Sequence, residues 1–139
     1  MRIVLDTNVL VSGLLNAYGA PGRILDFVLA GWVQIAYDDR LMSEYADVLS
    51  RPRFGFEPAR IRALLAYFRL SGLLVSAIPL PGLDTTAVLD PDDLPFAEVA
   101  VAAGVEALVT GNGRHFSFLF TYNIPVYAPA DFVAVHSLK

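Results

Sequence analysis

The sequence predicts an α/β fold, a three-layer α/β/α sandwich with a central parallel sheet. Three observations predict it. Short, largely apolar runs at 3–5, 32–36 and 107–110 read as strands buried in a sheet rather than lying on its surface. Longer stretches between them carry apolar residues at helical spacing, and strands alternating with helices imply a parallel sheet covered on both faces. Polar clusters then follow the first strand and the strand at 107–110, at the carboxyl edge where open parallel sheets hold their ligands.

The elements follow in order. Ile3, Val4 and Leu5 form the first strand, and 9–16 carries the apolar spacing of a first helix. Gly19, Pro21 and Gly22 mark a loop before a second helix over about 21–30, whose stripe is Ile24, Leu25, Val28 and Leu29, with Gly31 as its stop. Residues 32–36 read as the second strand. Asp38 and Asp39 offer an N-cap for a helix over about 40–50, ended by Pro52, with Leu41, Tyr45, Val48 and Leu49 inward. A further helix spans about 58–70, followed by a strand candidate at 73–78 and a loop at 79–86. Phe96, Val99, Ala100 and Ala103 form a helix that Gly104 stops. Strands at 107–110 and 125–128 and a terminal helix over 129–136 complete the chain. With no repeat and no linker, residues 1–139 read as a single domain.

Composition narrows the function. Hydrophobic residues make up 55% of 139, enough for a sizeable core. The apolar stretches are all interrupted short of a membrane span, and Asp6 comes too early for a signal-peptide core. The absence of cysteine excludes disulfides and thiolate chemistry, so a metal site would use oxygen or imidazole ligands. These features fit a cytoplasmic protein. A net charge of −4 argues against loose nucleic-acid binding through phosphate neutralisation. Nine of the ten basic residues are arginine, six of them between Arg40 and Arg69, which read first as a solvated helix face.

The acidic residues carry the chemistry. Asp6 is either a helix N-cap or a charge held in the crevice beyond the first strand. Glu44 lies beside the apolar stripe of its helix, on a face that a carboxylate would normally avoid. In Asp90-Pro91-Asp92-Asp93-Leu94-Pro95 three carboxylates stand within four residues, either as an acidic cap for the next helix or as part of a site. If Asp6, Glu44 and Asp93 converge to about 4–5 Å, each pair costs roughly 3–4 kcal/mol at an effective dielectric near 20. Protons or a hard divalent cation, Mg²⁺ or Mn²⁺, would relieve that repulsion. Such a cation can bind a phosphodiester oxygen, activate water and stabilise a leaving oxygen.

Four segments together, Leu5-Asp6-Thr7-Asn8, Leu41-Met42-Ser43-Glu44-Tyr45, Asp90-Pro91-Asp92-Asp93-Leu94-Pro95-Phe96 and Val109-Thr110-Gly111-Asn112-Gly113-Arg114-His115-Phe116, resemble the PIN-domain family. The resemblance is strongest to the branch of toxin components of bacterial and archaeal toxin–antitoxin systems. It implies a Rossmann-like sandwich, Mg²⁺- or Mn²⁺-dependent cleavage of RNA, homodimerisation and inhibition by a small antitoxin. Asp6, Glu44 and Asp93 match the family's first three acidic positions, which bind metal. Asn112 stands where many members carry a fourth catalytic Asp, which weakens a second metal position. Thr7, Asn8 and Thr110 match polar positions that orient carboxylates or the attacking water. Arg114 and His115 are candidates for phosphate contact or, equally, polar residues exposed on the surface after a strand. Asp92 is the substitute ligand should the register slip by one, Glu98 lies one helical turn on, and His136 reads as ordinary surface.

A haloacid-dehalogenase-type phosphatase would need a second Asp where Asn8 stands and a catalytic lysine, whereas the sole lysine is Lys139. No Gly-x-Gly-x-x-Gly follows the first strand, which removes a dinucleotide site. The remaining alternative is a catalytically weak PIN domain that binds RNA or a protein partner.

Overall fold

The computed structural model describes residues 1–136, so Lys139 lies outside the described residues. The elements run β1 (Arg2–Leu5), α1 (Thr7–Leu15), α2 (Ala20–Leu29), β2 (Gln34–Tyr37), α3 (Asp39–Leu49), α4 (Pro58–Ser71), β3 (Leu73–Leu74), α5 (Leu94–Ala103), β4 (Ala107–Val109), β5 (Val126–Tyr127) and α6 (Pro129–Val135). The five strands form one sheet in the order β3-β2-β1-β4-β5, and every pair is parallel.

This is the α/β fold that the apolar runs imply. Ile3, Val4 and Leu5 of β1 and Ala107, Leu108 and Val109 of β4 are all completely buried. Successive strand side chains point to opposite faces, so these two strands are covered above and below. Helix α5 packs across β1, β2 and β4, α3 and α4 pack on each other and on β2, and α1, α2 and α6 form a second group.

The chain leaves β1 toward β2 on one side, while β4 pairs with β1 on the other. That makes the β1–β4 boundary a topological switch point, where a crevice opens at the carboxyl ends of the strands. The register places Leu5 beside Val109, so Asp6 and Thr110 emerge next to each other.

Some expected boundaries shift. The second strand begins at Gln34, not Trp32; Trp32 is 70% exposed and packs edge-on against Phe27. The strand expected over 73–78 pairs only at Leu73–Leu74. β3 is a sheet edge, and after the Val75 N–H donates to the Tyr37 carbonyl at 2.9 Å the chain departs, leaving Ile78 exposed. Residues Gly113–Tyr122, for which no element was expected, form a 3-10 helical segment. Its buried residues are Phe116, Phe118 and Leu119, the first and last of them one 3-10 turn apart. His136 is not ordinary surface: its ring lies 4.6 Å from that of Phe132, and its Nε2 is buried with no hydrogen-bond partner among the described residues.

Candidate metal centre

Asp6 occupies the N-cap position of α1, yet its side chain does not cap the helix. Its backbone does the structural work. The N–H donates to Val109 O at 3.0 Å, and the carbonyl accepts from the Val9 N–H at 3.0 Å. The carboxylate is therefore free to take the Thr110 hydroxyl, which donates to Oδ2 at 2.7 Å. Thr110 Oγ1 in turn accepts the Asn112 N–H at 3.0 Å. The Thr7 hydroxyl, one residue on, donates to the Glu44 carboxylate. Asn8 Oδ1 accepts the Gly111 N–H at 3.3 Å. The first turn of α1 is thus tied to α3 and to the end of β4.

Tyr45 completes that scaffold. Its ring is fully buried between Phe68 and Phe96, and its hydroxyl donates to Leu5 O at 2.5 Å, the last carbonyl of β1. Burial raises its pKa well above the ordinary tyrosine value, with the charges of Asp6, Glu44 and Asp38 adding to the rise. It stays a neutral donor.

Asp6, Thr7, Asn8, Glu44, Asp90, Asp92 and Asp93 line one cleft of about 450 Å³. Asp6 is only 8% exposed, and burial lifts its pKa from 3.8 to about 6. The Thr110 hydrogen bond opposes the rise, and the negative charges of Asp93 and Glu44 add to it. Asp93 is raised as well, first by burial and then by Asp90 and Asp92, while its bond to His115 pulls the other way. These are carboxylates held where their anions are poorly solvated, the condition under which a bound cation is most favourable.

The tightest grouping differs from the one that the sequence suggests. Among the described residues, Asp90, Asp93 and His115 are the three whose ligand atoms all lie within 4.8 Å of one another. His115 Nδ1 is 2.9 Å from Asp93 Oδ2. Asp93 is common to this group and to the Asp6–Glu44–Asp93 set, so the two sets share one carboxylate, while His115 is not among the residues that line the cleft. Asp90 also shapes its own segment, its Oδ1 accepting the Asp92 N–H at 3.0 Å as the cap of the Pro91–Asp93 turn.

The remaining candidates scatter. Asn112 and Arg114 are exposed and are not among the residues that line the cleft. Glu98 turns to Arg40, with Oε1 and Nη1 2.7 Å apart, and Arg40 also pairs with Asp38 at 2.8 Å. Sequence reasoning missed Arg51, Arg53 and Phe54, which line the cleft, and the ligand geometry of Asp90. A signal for the first three was present: Pro52 directly after a helix forces a turn, and the turn carries both arginines.

The chain is 28% identical over 116 residues to the uncharacterised protein MJ1680 of Methanocaldococcus jannaschii, an alignment covering 81% of this chain and 71% of that protein. The PIN-domain family model matches residues 2–114, from the start of β1 through the segment after β4. PIN domains are typically metal-dependent nucleases, and the carboxylates of the cleft, with the His115 imidazole beside Asp93, are oxygen and nitrogen donors of the kind that such a metal uses. With the match spanning β1, β4 and every cleft residue named above, the chain belongs to the PIN-domain family.

Proposed function

We propose that this protein is a metal-dependent endoribonuclease whose active site is the acidic cleft at the β1–β4 switch point. The observation that carries the reading is Asp6 itself. A carboxylate 8% exposed, with its pKa lifted to about 6 among further carboxylates, is unfavourable for folding and suited to a cation. The donor set fits the ion: Asp6, Glu44, Asp90 and Asp93 offer carboxylate oxygens and His115 an imidazole nitrogen. The imidazole favours Mn²⁺ over Mg²⁺, which prefers oxygen ligands alone.

When bound, a divalent cation supplies charge for a phosphodiester oxygen and a water of lowered pKa. The chain's residues do the rest. Asp6, Glu44 and Asp93 would hold the ion, Thr110 and Thr7 keep the Asp6 and Glu44 carboxylates oriented through their hydroxyls, and Asn8 braces the Gly111 backbone. His115, hydrogen-bonded to Asp93, stands where it could ligate the ion or meet a phosphate. A toxin role, with a small antitoxin as inhibitor and a homodimer as the working form, is the biological setting we favour, on family likeness alone. The exposure of Asn112 outside the cleft favours a second reading, a catalytically weak domain that binds RNA or a protein.

Single-stranded RNA incubated with purified protein in Mn²⁺, Mg²⁺ or EDTA, beside Asp93→Asn, separates the two. Metal-dependent cleavage lost in the variant supports the nuclease. Equal inactivity of both proteins, with RNA or partner binding retained, supports the binding module.

A further inference from the structure

We propose that Arg51 and Arg53, on the turn between α3 and α4, form an arm that holds the phosphate backbone of single-stranded RNA at the cleft. The identity of the polyanion rests on the ribonuclease reading; the arm itself rests on geometry. Arg51, Arg53 and Phe54 line the same cleft as Asp6, Glu44 and Asp93. Helix α3 ends at Leu49, and Pro52 opens a 3-10 turn, Pro52–Phe54, that closes on Gly55 at φ 65°, a left-handed conformation suited to glycine.

The turn holds Arg53 in an unusual way. Its Cζ lies 4.7 Å from the centre of the Phe54 ring. Phe54 is stacked on Phe56, with centroids 5.7 Å apart and planes 19° from parallel. Among the described residues no carboxylate lies within 4.0 Å of the Arg53 guanidinium, so an aromatic pair supports it and its charge is not neutralised. Arg51 pairs with Asp47 at 3.2 Å, but both are exposed, and such a pair is readily exchanged for a phosphate.

The other cations are placed differently. Arg40 is committed to Asp38 and Glu98, while Arg60, Arg62 and Arg69 are exposed on α4 and absent from the cleft lining. A cleft with five carboxylates repels a polyanion, so cationic groups on its wall, added to the charge of a bound cation, favour the approach of RNA. Guanidinium forks match phosphate oxygens bidentately and shed water at lower cost than ammonium.

The test is the salt dependence of binding, because each phosphate neutralised releases counterions. Affinity for a short labelled single-stranded RNA is measured by fluorescence anisotropy across a salt series, in EDTA and again in saturating Ca²⁺. Arg51→Gln and Arg53→Gln should each reduce the slope of log K against log salt by about 0.7, the increment for one single-strand phosphate. Arg62→Gln, exposed on α4, should leave the slope unchanged. Unchanged slopes in both cleft variants, an equal fall in Arg62→Gln, or no measurable binding by the wild type would overturn the arm. Because binding is read apart from cleavage, the two readings fail separately. A protein that binds through the arm but never cleaves overturns the nuclease alone, while one that cleaves with arm variants of unaltered slope overturns the arm alone.

Discussion

Asp6→Asn should stabilise the metal-free protein while removing the proposed ribonuclease activity. A native pKa above the unfolded one means that the folded state binds the proton more tightly. The stability gained from that preference is fully present below 3.8 and is lost as pH rises through about 6. The interval from 3.8 to about 6 corresponds to roughly 3 kcal/mol at about 1.36 kcal/mol per unit. Asn carries no charge to desolvate and can still accept the Thr110 hydroxyl, now 2.7 Å from Oδ2. In EDTA, above the native pKa, the variant should therefore exceed the wild type by up to about 3 kcal/mol. For a chain of this length that is on the order of 10 °C in Tm. The advantage should vanish as pH falls below the unfolded value. Added Mn²⁺ should reverse the order, raising the wild-type Tm far more than that of the variant, since the ion then offsets the buried charge. The assay is thermal unfolding by circular dichroism across a pH series with EDTA or Mn²⁺. A variant no more stable than wild type at neutral pH in EDTA would refute the argument that Asp6 is held at a cost.

Other substitutions read the supports of the site. Thr110→Val removes the donor to Asp6 and should cost roughly 1.5–3 kcal/mol at neutral pH in EDTA, the range for a hydrogen bond to a charged group, as measured by urea denaturation. Tyr45→Phe frees the Leu5 carbonyl and should cost about 1–3 kcal/mol, with the same readout. His115→Ala should weaken Mn²⁺ binding more than Mg²⁺ binding in isothermal titration calorimetry; equal losses for the two ions would remove the imidazole from the ligand set. Gly22→Ala should destabilise by about 2 kcal/mol or more, because its Cβ would press on the Ala17 backbone, which cannot move aside as a flexible side chain would.

Much of this molecule is written locally. The apolar run of Ile3, Val4 and Leu5, cut off by Asp6, reads as a strand buried on both faces, and all three residues are completely buried. Gly104 stopping α5 in a left-handed conformation and Asp38 capping α3 through the Leu41 N–H are equally local, set by backbone sterics and by one side-chain acceptor. The inward bias of Glu44 was legible too, since helical spacing places it beside Leu41 and Val48, although its partner Thr7 was not.

What only the tertiary structure decided is which distant groups meet. Asp6 and Thr110 are separated by 104 residues and meet because β1 and β4 pair in a register that aligns Leu5 with Val109. His115 reaches Asp93 because residues Gly113–Tyr122 coil into a 3-10 segment anchored by Phe116, Phe118 and Leu119, far along the chain from Asp93. Arg53 reads as surface in the sequence, and in the fold it lies over Phe54 at the acidic cleft. Helix caps and stops depend on neighbours a few residues away, and the sequence determines them. Strand register and cleft composition depend on contacts between segments far apart in the chain, and packing alone determines those.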